Sequence, residues 1–129
     1  MRAYIIGSLV IAGVLLAAGR TTAHHSFAAE FDANKPFKMT GIVTKVEWMN
    51  PHTFFYIDVK EEKTGKVTNW AMEMGSPNGL MRQGWTRNTM KIGDVVSVEG
   101  SLAKDGSPTG NARSSRSRTG AASCSASAC

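Results

Sequence analysis

The sequence predicts an all-β fold, and three observations carry that prediction. Four separate segments alternate apolar with polar residues at a period of two, the pattern of a half-buried strand. Turn-forming clusters divide them: Met49-Asn50-Pro51-His52, Glu61-Glu62-Lys63-Thr64-Gly65-Lys66 and Lys91-Ile92-Gly93-Asp94. One helix-start signal, Ser76-Pro77, falls between the third segment and the fourth.

The first predicted strand covers 38–48, with Ile42, Thr44, Val46 and Trp48 on one face and Val43, Lys45 and Glu47 on the other. Asn50-Pro51 then favours a turn, because proline biases the preceding residue away from the helical region, and the corner presents His52 at a strand end. The second strand covers 53–60, where Phe55, Ile57 and Val59 alternate with Phe54, Tyr56 and Asp58. After a polar hairpin loop the third strand, 67–74, alternates Thr68, Trp70, Met72 and Met74 with Val67, Asn69, Ala71 and Glu73.

Ser76 is the expected N-cap and Pro77 the first helical residue of a short helix whose Leu80, Met81 and Trp85 form an apolar stripe over one end of the sheet. The fourth strand, 95–102, places Val96, Val98 and Leu102 opposite Val95, Ser97 and Glu99. A polar turn over 104–110 leads to the position of a fifth strand, yet from Asn111 on no apolar alternation continues. Three strands, a short helix and two strands is the order of a small five-stranded barrel of the oligonucleotide/oligosaccharide-binding (OB) type. An open antiparallel sheet packed by one helix is the alternative.

The ends differ in kind from this domain. Residues 1–23 begin with Arg2, run through an apolar stretch from Tyr4 to Ala18 and finish with small residues at Thr21-Thr22-Ala23, the make-up of a cleaved export signal. A retained membrane anchor is the rival, but the run is shorter than the roughly 20 residues that span a bilayer. The expected organisation is signal 1–23, an N-terminal arm 24–37, the β domain 38–113 and a disordered tail 114–129, in the periplasm of a Gram-negative bacterium, with no membrane association once the signal is cut. In the arm, Phe27 and Phe31 are four apart, so one helical turn places both on a common face. Cys124 and Cys129 fall in the Ser- and Ala-rich tail at a spacing that matches no zinc or redox pattern.

The net charge of +5 does not belong to the domain. Arg2 and Arg20 in the signal and Arg113, Arg116 and Arg118 at the end supply the excess, while residues 24–112 balance ten basic against ten acidic side chains. The footprint of a nucleic-acid binder is absent from that balance, and nucleic acid is not an expected partner.

His24-His25-Ser26-Phe27 with Glu30-Phe31-Asp32, Gly41-x-Val43-x-x-Val46-x-Trp48-x-Asn50-Pro51-His52, Asn69-Trp70-x-x-Glu73-x-Gly75-Ser76-Pro77-Asn78, Gly84-Trp85 and Gly93-Asp94-Val95-Val96 occur here in one order. In these motifs the chain resembles a family of small exported bacterial proteins, domain of unknown function 6152, over about His24 to Arg113. The resemblance implies export and a single β-rich domain, and it supplies no reaction. Family members continue past Arg113 with an apolar strand, so Ser114 to Cys129 departs from their pattern in the manner of a frame-shifted or truncated end.

Two constellations carry functional expectations. Cleavage after Ala23 leaves His24 with a free amine beside its imidazole, and His25 or His52 adds a third nitrogen, a donor set that suits copper(II). Cleavage one residue earlier puts His25 third, where amine, amides and imidazole form a square-planar copper or nickel site. The solvated alternative leaves His24 and His25 on a mobile arm and His52 as a turn residue bonded to backbone. The second constellation is an aromatic strand face, Phe54, Tyr56 and Trp70, with Asn50 and His52 at the corner, suited to stacking on a sugar, a peptide or a ring. Its alternative is core packing by the large side chains.

The methionines at 49, 72, 74, 81 and 90 follow the apolar pattern and read as core rather than as a soft-metal set. Glu73 shares a strand face with Val67 and Ala71, and is open to pairing with Lys45 or Arg82 or to standing beside a histidine. No paired-carboxylate, nucleophile-elbow, phosphate-loop or Cys-x-x-Cys pattern is present, so the expectation is a non-catalytic binding or accessory module, monomeric or weakly dimeric. Its partner is expected to be a small molecule, a glycan or an envelope protein. No cofactor is required by this reading, and copper(II) is the one it leaves open. Copper handling and a structural envelope role are the other two readings.

Overall fold

The computed structural model describes residues 27–118 and 123–124. A single turn of helix, α1 (Phe27–Glu30), leads into β1 (Phe31–Glu47), β2 (Phe54–Lys60) and β3 (Val67–Glu73). A second short helix, α2 (Pro77–Met81), precedes β4 (Val95–Ala103) and β5 (Thr109–Ser117), and a two-residue strand, β6 (Ser123–Cys124), pairs with β5. Antiparallel pairing joins β1 to β2, β2 to β3, β1 to β4 and β4 to β5. Parallel pairing of Ala71–Glu73 with Thr109–Asn111 closes the five strands in a ring. The fold is therefore all-β with a helix between β3 and β4, and the closing pair excludes the open antiparallel sheet.

The turn chemistry works locally as the residues suggest. Gly65 takes a φ of 71° in the β2–β3 loop, and the Ser76 hydroxyl accepts from the Gly79 amide at 3.2 Å with Pro77 behind it. Leu80 and Trp85 enter the core, whereas Met81 of the expected stripe is exposed. One continuous core results, from Val43, Phe55, Ile57, Met72, Met74, Leu80, Trp85, Met90, Val96, Val98 and Ala112.

Four departures from the period-two reading have physical causes. β1 begins at Phe31, not at 38, because β4 is long enough to offer partners to the arm: Phe31 lies opposite Ala103 and Pro36 opposite Ser101. Residues 33–36 are exposed, so this stretch of strand carries no apolar alternation to read. Second, the β1–β2 register slips between Val43 and Lys45, leaving Thr44 as an extra residue. This bulge changes the phase of the strand, so Val43 and Val46 both face inward while Ile42 is 51% exposed. Third, the inward face of β4 passes from Val96 and Val98 to Ser101 and Ala103 near Gly100, where the pairing with β5 shifts, and Leu102 is left half-buried.

Fourth, β5 forms with Ala112 as its one apolar side chain and runs to Ser117, beyond the Arg113 boundary drawn from composition. Its buried positions are Gly110, Ala112, Ser115 and Ser117. Small side chains suffice because Phe37 reaches across from β1: a Cβ built on Gly110 would lie 2.4 Å from the Phe37 ring, and one on Gly100 3.1 Å from it. Residues 1–23, expected to be an export signal, lie outside the described residues, as do His24, His25, Cys129 and all of the tail past Arg118 except the backbone of β6.

Candidate functional site

The corner between β1 and β2 supplies the first half of the site. Its Asn50–Pro51 peptide is cis, and Asn50 is exposed. Beyond it the β2–β3 pairing extends past Phe54 and Glu73, with the Met74 amide donating to the Thr53 carbonyl at 2.8 Å and the Thr53 amide to the Gly75 carbonyl at 3.0 Å. Glu73 stands directly opposite Phe54, and His52, two residues before Phe54, lies on the same face diagonal to it. His52 Nδ1 and Glu73 Oε1 are 2.7 Å apart, with the glutamate side chain 10% exposed and the imidazole 42%. Of the pairings open to Glu73 in the sequence, the structure selects the histidine.

Burial pushes the Glu73 carboxyl above the ordinary carboxylate value of 4.5, the facing His52 pulls it back, and the negative charge of Glu30 pushes it up again. Glu30 matters here because α1 and the start of β1 pack beside the end of β3. Lys104 secures that arrangement: its backbone amide donates to the Glu30 carbonyl at 2.9 Å and its ammonium to the Ala28 carbonyl. Phe27 stacks on Phe31 with ring centroids 5.7 Å apart, the common face expected of the arm.

Together these segments enclose a cleft of about 390 Å3. Ala29, Glu30 and Phe31 form one wall, Phe54 and Glu73 the floor beside the corner, and the β4–β5 turn the far wall through Lys104, Asp105, Ser107 and Thr109. The Ser107 amide donates to Asp105 Oδ1 at 2.9 Å, and the Ser107 interaction holds the Asp105 carboxyl below its ordinary range.

The residues expected to form one aromatic face do not do so. Phe54 lines the cleft, but Trp70 lies opposite Ile57 and packs on the core, so it shares no face with Phe54 or Tyr56. Trp85 is buried and Trp48 half-buried against the same core, which places all three tryptophans in packing roles. Tyr56 is on the face of Phe54, yet its hydroxyl donates to Glu47 Oε2 at 2.9 Å and its ring sits under Lys45 with the ammonium 5.2 Å from the centroid. Burial raises the Tyr56 pKa first, and the bond to Glu47 adds to it. Met72, Met74 and Met90 are core, whereas Met49 and Met81 are exposed. Among the described residues no group of three or more metal-ligating side chains occurs.

A family model described as a family of unknown function (DUF6152) matches residues 12–113. The chain belongs to this family. The comparisons with curated proteins and with solved structures found no match. For this DUF6152 member the cleft residues missed by sequence reading are Glu30, Phe31, Lys104, Asp105, Ser107 and Thr109. One signal for them existed: a closed five-stranded ring brings the loop between strands 4 and 5 toward the loop between strands 1 and 2, the two loops that carry ligands in OB folds.

Proposed function

We propose that this DUF6152 protein is an exported, non-catalytic binding module whose small-molecule ligand sits in the cleft between α1, the end of β3 and the β4–β5 turn. One observation carries the reading: Glu73, nine-tenths buried and oriented by His52, lines a cleft of about 390 Å3 assembled from four separate parts of the chain. A buried, oriented polar group beside aromatic surface in a cavity of a few hundred Å3 is the usual make-up of a ligand site. The charge balance of the domain supports a small molecule over nucleic acid. The apolar run and small residues of 1–23 support export, with the periplasm as destination.

Saturation-transfer NMR with a mixed fragment library tests this reading on wild type and on Phe54→Ala. Fragments that bind the wild type and lose the effect in Phe54→Ala support it. Binding that is indifferent to Phe54 places the ligand elsewhere and contradicts it.

A second reading, copper(II) binding by the mature amino terminus, is favoured by the course of the arm. Ala29, Glu30 and Phe31 line the same cleft as Glu73, the partner of His52, and His24-His25 stand only two residues ahead of Phe27. Calorimetric titration of copper(II) into protein whose cleavage site is known from intact mass tests it. One-to-one binding lost on His24→Ala and weakened on His52→Ala supports the reading, and binding unchanged by both contradicts it.

A further inference from the structure

We propose that the cleft selects a small organic cation, an ammonium or amidinium group carried on a flat apolar body; this rests on the reading of the cleft as a ligand site. Glu73 is the central observation. Its side chain is nine-tenths buried, His52 occupies Oε1 from 2.7 Å, and among the described residues no second donor reaches the carboxylate. The group nevertheless lines the cleft, so a bound N–H donor completes its hydrogen bonding.

The rest of the lining favours positive charge. Among the described residues that line the cleft, Glu30 and Asp105 are the other carboxylate bearers and Lys104 the one lysine or arginine. That lysine is already committed, with its ammonium on the Ala28 carbonyl and its backbone amide on the Glu30 carbonyl, where it pins α1 in place. Asp105 is oriented by the Ser107 amide at 2.9 Å and remains ionised. Half-buried Phe54 adds a phenyl ring, a surface that attracts a cation through the ring face and also covers an apolar body, and Phe31 lines the cleft with it. An anion in this space meets the carboxyl groups of Glu73 and Asp105, and a ligand without a donor leaves Glu73 half-satisfied.

Three probes of one shape separate these cases: benzylamine, benzyl alcohol and phenylacetate, each titrated into the 15N-labelled full chain and followed by amide shifts. The expected result is saturable movement of the Phe54, Glu73 and Asp105 amides by benzylamine. Benzyl alcohol is expected to bind about tenfold or more weakly and phenylacetate more weakly still. Glu73→Gln keeps an oxygen acceptor for His52, and is expected to lose about tenfold in benzylamine affinity with its spectrum otherwise intact. Asp105→Asn, on an exposed turn, supplies a second reading if Glu73→Gln does not fold, and its benzylamine affinity should also fall. Equal cleft binding by the alcohol or by phenylacetate overturns the cation while leaving the cleft as a site, and undiminished benzylamine affinity in Asp105→Asn and Glu73→Gln does the same. No movement of cleft amides with any probe overturns both readings.

Discussion

Replacing Gly110 with alanine places a methyl carbon 2.4 Å from Cε1 and 2.7 Å from Cζ of Phe37, so the ring must move. Phe37 is half-buried and can swing toward solvent, which limits the cost of Gly110→Ala to about 1–3 kcal/mol, the range for overpacking. Phe37→Ala removes the ring itself. Full burial makes that change worth roughly 3–5 kcal/mol, so a half-buried ring accounts for about 2 kcal/mol. Independent effects would sum to about 4 kcal/mol, but in the double variant the new methyl occupies space the ring has left. The predicted cost of the double variant is about 2–3 kcal/mol, a coupling on the order of 1 kcal/mol. A domain of this size is stable by about 5–14 kcal/mol, so all three variants remain measurable by urea unfolding. Additivity within about 0.3 kcal/mol would refute the packing of Phe37 over Gly110. Gly100→Ala is the harder case, because its methyl would lie 1.9 Å from the backbone oxygen of Asn111 and no rotamer relieves it. It is expected to cost more than Gly110→Ala and to disrupt the β4–β5 pairing that closes the ring.

Burial raises the Glu73 carboxyl above its ordinary value, so the folded state holds that proton more tightly than the unfolded chain. The associated stability is fully present below the unfolded value of about 4.5 and is lost as pH rises through the raised folded value. Glu73→Gln should therefore flatten the stability profile from about pH 4.5 upward, read by urea melts at several pH values, and a variant that keeps the wild-type slope contradicts this. Thr53 Oγ1 is fully buried with no partner among the described residues, so Thr53→Val is expected to stabilise by about 1 kcal/mol and raise the thermal midpoint by about 4–8 °C. A lowered midpoint would show that the hydroxyl is satisfied. Tyr56→Phe removes a hydroxyl bonded to Glu47 outside the cleft, and is expected to leave fragment affinity unchanged in the NMR titration.

What the sequence made legible was whatever a local rule governs. Ser76 and Pro77 start α2, Gly65 turns the β2–β3 loop, and Phe55, Ile57, Val96 and Val98 point inward as their alternation requires. Tertiary pairing overrode the rest. The Thr44 bulge reverses the phase of β1 and turns Ile42 outward, although it is as apolar as Val43. β5 is recruited by pairing to β3 and β4 and filled by Phe37, so its serines and glycine carry no hydrophobic signal of their own. Trp70 was misplaced with Tyr56 because a two-residue period assigns faces within one strand but not between strands of unknown register; opposite Ile57, it packs inward. Of the candidate site, His52 and Phe54 were readable from the corner, and Glu73 stood out as a charge on a strand. Glu30 and Asp105 join them only through the ring closure.

The proposed function puts the ligand in the cleft beside His52 and Glu73. A map of amide chemical-shift changes on the 15N-labelled protein, taken with the tightest fragment found, tests it most directly. The predicted changes cluster on residues 29–31, Phe54, Glu73 and residues 103–109, the segments that surround the cleft. Changes confined to residues 49–51 and the Lys45, Glu47 and Tyr56 surface, with the cleft amides unmoved, would contradict it.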